Sequence, residues 1–138
     1  MMNFEFEIEG GNFSSAGTAS SEIKKVLKQL NLDYSLIKRV VVAIYEAEVN
    51  VVAHADSGSL TAEIDTSKIR ILVSDSGPGI PDIDKAMEAG FSTASAKVRE
   101  MGFGAGMGLP NIKKNADVLN ITSEVGKGTK LEIIVNFN

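Results

Sequence analysis

The chain reads as an α/β protein, a two-layer α/β sandwich with a mixed β-sheet. Three observations predict it. Stretches with strand periodicity and stretches with helix periodicity alternate along the chain. The middle pair of strands and the last pair are each separated only by a tight turn, so they read as hairpins, which a doubly wound parallel sheet does not contain. The length, 138 residues, suits one domain, residues 1–138, with a core large enough to need no covalent staples.

Asn3 to Glu9 alternates Phe4, Phe6 and Ile8 with Glu5, Glu7 and Glu9, the pattern of a strand with one buried face. Gly10 and Gly11 break it. Ser14 or Ser15 is placed to cap a helix carrying the stripe Ile23, Val26, Leu27, Leu30. Asp33 is placed to cap the next helix, about Tyr34 to Ala55, which Gly58 ends. Val40-Val41-Val42 favours strand locally, but some twenty residues without Gly or Pro are too long for one, so a buried helix is expected. Leu60 to Asp65 and Lys68 to Asp75 are strands joined by a turn near Thr66. A segment from Pro81 to Gly108 follows, with a short helix at Ile83 to Ala89. Leu109 to Asn115 is helical. Val118 to Ser123 and Thr129 to Phe137 form a hairpin about Gly126-Lys127-Gly128.

Composition removes several function classes. The absence of cysteine excludes disulfides, zinc–thiolate sites, iron–sulfur clusters and a thiol nucleophile. A single histidine excludes multi-histidine metal sites. The net charge of −4 carries no basic footprint for nucleic acid. The most apolar stretch, Leu36 to Ala55, contains Lys38, Arg39, Glu46, Glu48 and His54, too many charges for a membrane span, and the N-terminus has no signal-peptide pattern. A cytoplasmic protein is expected.

Three clusters carry chemistry. Glu46 and Asn50 lie one turn apart on the same face of the long helix, with Glu48 about 200° away from Glu46. Polar groups among Val, Ile and Ala need partners, unless they form a solvated stripe. Asp75-Ser76-Gly77-Pro78-Gly79 ends an apolar strand, where an aspartate can accept from an exocyclic amine; a plain strand-ending turn fits it equally. Gly102-Phe103-Gly104-Ala105-Gly106-Met107-Gly108 precedes a helix, the makings of a phosphate cradle or, otherwise, a flexible linker. It is neither the P-loop nor the dinucleotide fingerprint, since no Lys-Ser/Thr follows and no strand directly precedes.

Taken in order and spacing, these clusters resemble the N-box, G1 box and G2 box of the ATPase superfamily of gyrase, MutL and the sensor histidine kinases. Gly126-Lys127-Gly128-Thr129 resembles its terminal Gly-Thr element. The likeness spans about residues 33 to 137. The size of the chain and the wording Glu46-Ala-Glu-Val-Asn50-Val-Val-Ala-His54-Ala, Phe91-Ser-Thr-Ala and Met101-Gly-Phe-Gly-Ala-Gly-Met-Gly-Leu-Pro-Asn-Ile are similar to the small serine kinases of bacterial partner switching, the anti-sigma factors and switch kinases.

The resemblance implies a Bergerat-type fold that binds ATP and Mg²⁺. It implies Asn50 as the Mg²⁺ ligand and Glu46 as the general base. Asp75 would accept from the adenine amine with help from Thr129, in a pocket shaped by Gly77 and Gly79. Gly104, Gly106 and Gly108, with the N–H groups of Met107 and Leu109, would hold the phosphates. Residues 81–107 would form the lid, with Lys97 and Arg99 within it. The implied activity is a serine kinase acting on a STAS-type antagonist, as anti-sigma factor or switch kinase. Two other readings stay open: a non-catalytic ATP-binding module for a sigma factor or phosphatase, and an ATP-hydrolysing domain serving a partner. His54 reads as a residue that caps or packs at the helix end. The Phe-bearing first strand, as an exposed edge, invites pairing with a second copy.

Overall fold

The computed structural model describes residues 1–80, 82–88 and 108–138. The element order is β1 (Met2–Glu9), a short 3₁₀ turn (Phe13–Ser15), α1 (Thr18–Gln29), α2 (Tyr34–His54), β2 (Ser57–Ile64), β3 (Lys68–Asp75), α3 (Ile83–Ala86), α4 (Gly108–Asn115), β4 (Val118–Glu124) and β5 (Gly128–Asn136). The strands form one five-stranded sheet in the order β1-β2-β3-β5-β4. The two-layer α/β sandwich is as expected.

The sheet itself is not mixed. Every neighbouring pair of strands is antiparallel. Two connections explain this. Between β1 and β2 the chain makes a helical hairpin, α1 then α2, and its three reversals, into α1, between the helices and into β2, bring β2 back antiparallel to β1. β3 and β4 do point the same way, but β5 inserts between them and pairs antiparallel with both.

One face of the sheet is apolar. Leu60, Ala62 and Ile64 of β2, Ile69, Ile71 and Val73 of β3, and Leu131, Ile133 and Val135 of β5 are all buried. They meet Ile37, Val40, Ala43, Ile44, Ala47, Val51 and Val52 of α2, and Ile23 and Leu27 of α1. The Val40-Val41-Val42 run is helical because its neighbours at helical spacing complete this buried stripe, which outweighs local β propensity. The outer face carries a polar ladder. Arg70 of β3 bridges Glu63 of β2 at 3.0 Å and Glu132 of β5 at 2.6 Å, and Asn120 of β4 donates to Glu132 at 2.7 Å.

Several local expectations change. α1 starts at Thr18 behind Gly17, not at Ser14 or Ser15, which lie in the 3₁₀ turn. Leu30 falls just past the end of α1 and is exposed. Asp33 takes the N-cap position of α2, but its carboxylate accepts from the Ser35 hydroxyl and not from the helix backbone. α2 ends at His54, and Gly58 lies inside β2, where a Cβ would stand 2.8 Å from Val51 and 2.9 Å from the Ser74 carbonyl. Glycine there permits close packing and does not stop the helix. α3 is one turn, shorter than the Ile83 to Ala89 expected. The turn near Thr66 is as expected: the Asp65 carboxylate accepts from the backbone N–H groups of Ser67 and Lys68.

Candidate functional site

α2 organises the site, because three of its residues on one face meet α4 in antiparallel register. At one end the carboxamide oxygen of Asn50 lies against Gly108, where a Cβ would come within 2.9 Å of it. One turn back, Asn111 Nδ2 donates to Glu46 Oε2 at 3.1 Å. Two turns further back, Arg39 Nε donates to the Asn115 carbonyl at 3.1 Å, and its guanidinium pairs with Asp117 at 3.2 Å. The Asp117 carboxyl is held below the ordinary carboxylate range, first by the Asn136 backbone N–H and then by Arg39. The shared face of Glu46 and Asn50 is therefore an interface with the helix that follows the glycine run.

Glu48 points the other way, as its helical position requires. It is only 3% exposed. Its Oε2 accepts from the backbone N–H groups of Gly17 at 3.2 Å and Ala19 at 3.0 Å, and its Oε1 from Ser20 at 2.9 Å. Gly17 has no side chain with which to cap α1. A carboxylate from a neighbouring helix satisfies these orphan donors and complements the positive end of the helix. The two acidic residues of Glu46-Ala47-Glu48 thus do different work: Glu48 fixes α1, and Glu46 faces the site.

The second cluster sits at the C-terminal end of α2. Asp75 ends β3 opposite Thr129. Its Oδ1 accepts from the backbone N–H of Gly77 at 2.9 Å and of Thr129 at 3.2 Å. These two bonds saturate one oxygen and leave Oδ2 for a ligand. A Cβ on Gly77 would lie 3.1 Å from the His54 carbonyl, so the turn is pressed against the end of α2. The half-buried His54 imidazole lies within electrostatic range of Asp75. Burial lowers its pKa from the ordinary histidine value, and the Asp75 carboxylate partly offsets this. His54 packs at the helix end, as expected.

The Gly-Pro-Gly turn and the β4–β5 hairpin form one wall. The Gly126 N–H donates to the Pro78 carbonyl at 2.8 Å, and the Ile80 N–H to Ser123 Oγ at 2.7 Å. Ser123 Oγ also donates to the Gly128 carbonyl at 3.1 Å and lies 3.0 Å from Thr129 Oγ1. Gly79 and Gly128 both have positive φ, 80° and 137°, and a side chain at either would collide with backbone, of Glu124 and Asp75 respectively.

Helical rise sets the scale. His54, Asn50 and Glu46 follow each other at about 6 Å per step along α2. From one end to the other the site presents an acceptor beside the turn, an amide oxygen and a carboxylate. Leu109 is buried on α4 beside Gly108. Gly104, Gly106, Met107 and the segment 81–107 expected as a lid lie outside the described residues, apart from residues 82–88, which hold α3. The donor set suits a small hard cation: Asn50 offers one oxygen. Among the described residues no group of three or more carboxylate, imidazole or thiol side chains gathers.

Arg39, Asn111 and Ser123 were not singled out in the sequence. Their partners lie 76, 65 and 43 residues away, beyond the reach of any local pattern.

Comparison with known proteins agrees with this geometry. Residues 13–135 match the family model described as histidine kinase-like ATPase domain. The chain is 36% identical over 115 residues to the serine/threonine-protein kinase RsbT of Bacillus subtilis, covering 80% of each chain. It is 33% identical over 134 residues to an anti-sigma F factor of Caldanaerobacter subterraneus, covering 94% of this chain and 88% of that one. Among solved structures, the mycobacterial sensor histidine kinase MprB superposes with a TM-score of 0.56 over 98% of this chain and 97% of that chain, at 16% identity, a likeness of fold alone. Among the described residues no helix is long and apolar enough to cross a membrane. The chain belongs to the histidine kinase-like ATPase domain family.

Proposed function

We propose that the protein is an ATP-dependent serine kinase of a partner-switching system, with a STAS-type antagonist as its phosphoacceptor. One observation carries the reading: Asp75, at the end of β3, stands beside the C-terminal end of α2, and Asn50 and Glu46 follow along that helix, with the glycine-bearing start of α4 facing Asn50. A nucleotide laid along this line has its adenine at Asp75, its phosphates at Asn50 and Gly108, and its terminal phosphoryl group toward Glu46. The similarity to RsbT and to anti-sigma F factors supports it.

In this reading Asp75 Oδ2 accepts from the adenine N6 amine, and Thr129 Oγ1 assists, directly or through water. Gly77 and Gly79 shape the pocket wall. Asn50 holds Mg²⁺, which when bound screens and orients the phosphate oxygens. Gly104, Gly106, Gly108 and the N–H groups of Met107 and Leu109 take the phosphates, with 81–107 as the lid. Glu46 accepts the proton of the attacking serine hydroxyl. The serine oxygen bonds to the γ-phosphorus, the bond to the β-bridging oxygen breaks, and ADP leaves with that electron pair. Positioning and charge stabilisation supply most of the rate. A cytoplasmic setting and a sigma factor or phosphatase as further partner follow from the same reading.

A purely structural nucleotide site has no need of a carboxylate at position 46. The test separates Glu46→Gln from Asn50→Ala. The first should leave Mg·ATP affinity near the parent value and lower phosphoserine formation by about 10²–10⁴-fold. The second should impair both. Undiminished transfer by Glu46→Gln would remove the general base from the account.

A further inference from the structure

We infer that Asn111 is a positioning residue for Glu46, coupling the seating of α4 to the orientation of the base. The inference rests on the proposed role of Glu46. The Asn111 amide contacts the Glu46 carboxylate at 3.1 Å, through Oε2 alone, leaving Oε1 to face a hydroxyl. A half-buried carboxylate on a helix turns about three side-chain torsions. One hydrogen bond from a neighbouring helix removes most of that freedom, and a near-attack geometry depends on such restriction. The donor type matters. An ammonium or guanidinium at 111 would form an ion pair with the carboxylate and compete for its proton-accepting role. A carboxylate would repel it. A neutral amide orients it without either effect.

Asn111 is itself held. Asn115 Nδ2 donates to the Asn111 carbonyl at 2.8 Å, and Arg39 grips the Asn115 carbonyl. Asn111 also lies one turn from Gly108, the residue against Asn50. A shift of α4 along α2 therefore moves the contact at Asn50 and the contact at Glu46 together. The base is aimed only when the start of α4 is seated.

The test is a double-mutant cycle in the full chain, reading Mg·ATP affinity and single-turnover phosphotransfer to a purified STAS-domain antagonist. Asn111→Ala should lower the transfer rate roughly 10- to 100-fold with Mg·ATP affinity within about twofold of the parent. In the Glu46→Gln background the same change should cost less than about twofold, because its effect passes through the carboxylate. Asn111→Asp, of the same shape, should be at least as impaired as the alanine variant, which guards against a loss due only to the cavity. Equal losses in both backgrounds, or a parent-like Asn111→Asp, would overturn the inference and leave the base standing. Undiminished transfer by Glu46→Gln alone would overturn the base reading and the inference with it.

Discussion

Asp75→Asn tests the adenine end most sharply, because the surrounding backbone dictates how the new side chain must sit. Asp75 Oδ1 accepts from the N–H groups of Gly77 and Thr129. In the asparagine variant only the carboxamide oxygen can take that place, since the opposite rotamer would set an NH₂ group against two donors. The amide nitrogen is therefore forced to where Oδ2 stood. In the proposed binding mode, an acceptor facing the adenine N6 amine becomes a donor facing a donor. A hydrogen bond to a charged group is worth about 1.5–3 kcal/mol, so ATP affinity should fall roughly 10- to 150-fold. The same amide is now matched to the O6 acceptor of guanine, so the preference for ATP over GTP should narrow by more than ATP affinity alone suggests. The fold should survive, because both internal bonds are kept. Titration calorimetry with Mg·ATP and Mg·GTP, with a urea denaturation curve as control, reads all three quantities. Parent-like ATP affinity in a folded variant would take Asp75 out of the base pocket.

Gly108→Ala places a methyl group 2.9 Å from the Asn50 oxygen. The flexible carboxamide should give way, so stability should hold while Mg-dependent ATP affinity falls about tenfold or more; a calorimetric titration with and without Mg²⁺ shows whether it does. Glu48→Ala strips α1 of its cap. With about 1–3 kcal/mol for each donor on the buried Ala19 and Ser20, a loss of about 2–6 kcal/mol is expected in urea unfolding, and a loss below about 1 kcal/mol would mean that water replaces the carboxylate. His54 gives a pH signature. Its pKa is lowered in the fold by burial, against the pull of Asp75. Its neutral form is thus favoured by folding, its contribution is complete above the unfolded value of about 6.5, and it is lost as pH falls through the lower folded value. Stability between pH 7 and pH 5 should therefore decline more steeply in the parent than in His54→Gln, as read from urea midpoints.

What the sequence made legible, and what it hid, follows from range. The long helix was readable despite three consecutive valines, because its buried stripe recurs every three or four residues from Ile37 to Val51. Glu46 and Asn50 were readable as a pair because helical geometry alone places them together. The glycine clusters were readable as turns, yet not that the Gly-Pro-Gly turn and the Gly-Lys-Gly hairpin press against each other. Gly58 misled because glycine has two uses, chain reversal and close approach, and only the packed neighbours Val51 and Ser74 reveal the second. Glu48 showed only as a residue on the far side of the helix. Its role depends on α1 starting at a glycine, so the cap had to come from 28 to 31 residues away. The mixed sheet was misjudged because nothing local says that the last strand inserts between the third and the fourth.

The central claim is that this chain moves a phosphoryl group from ATP to a serine of a protein. The most direct measurement is incubation of the purified chain with γ-labelled Mg·ATP and a purified STAS-type antagonist, followed by identification of the labelled residue. The account predicts label on a serine of the antagonist, formed with release of ADP, strongly reduced with Glu46→Gln and absent with Asn50→Ala. Tight ATP-dependent association with the antagonist but no label on it, at any time and in any variant, would contradict the kinase and leave a nucleotide-gated binding module in its place.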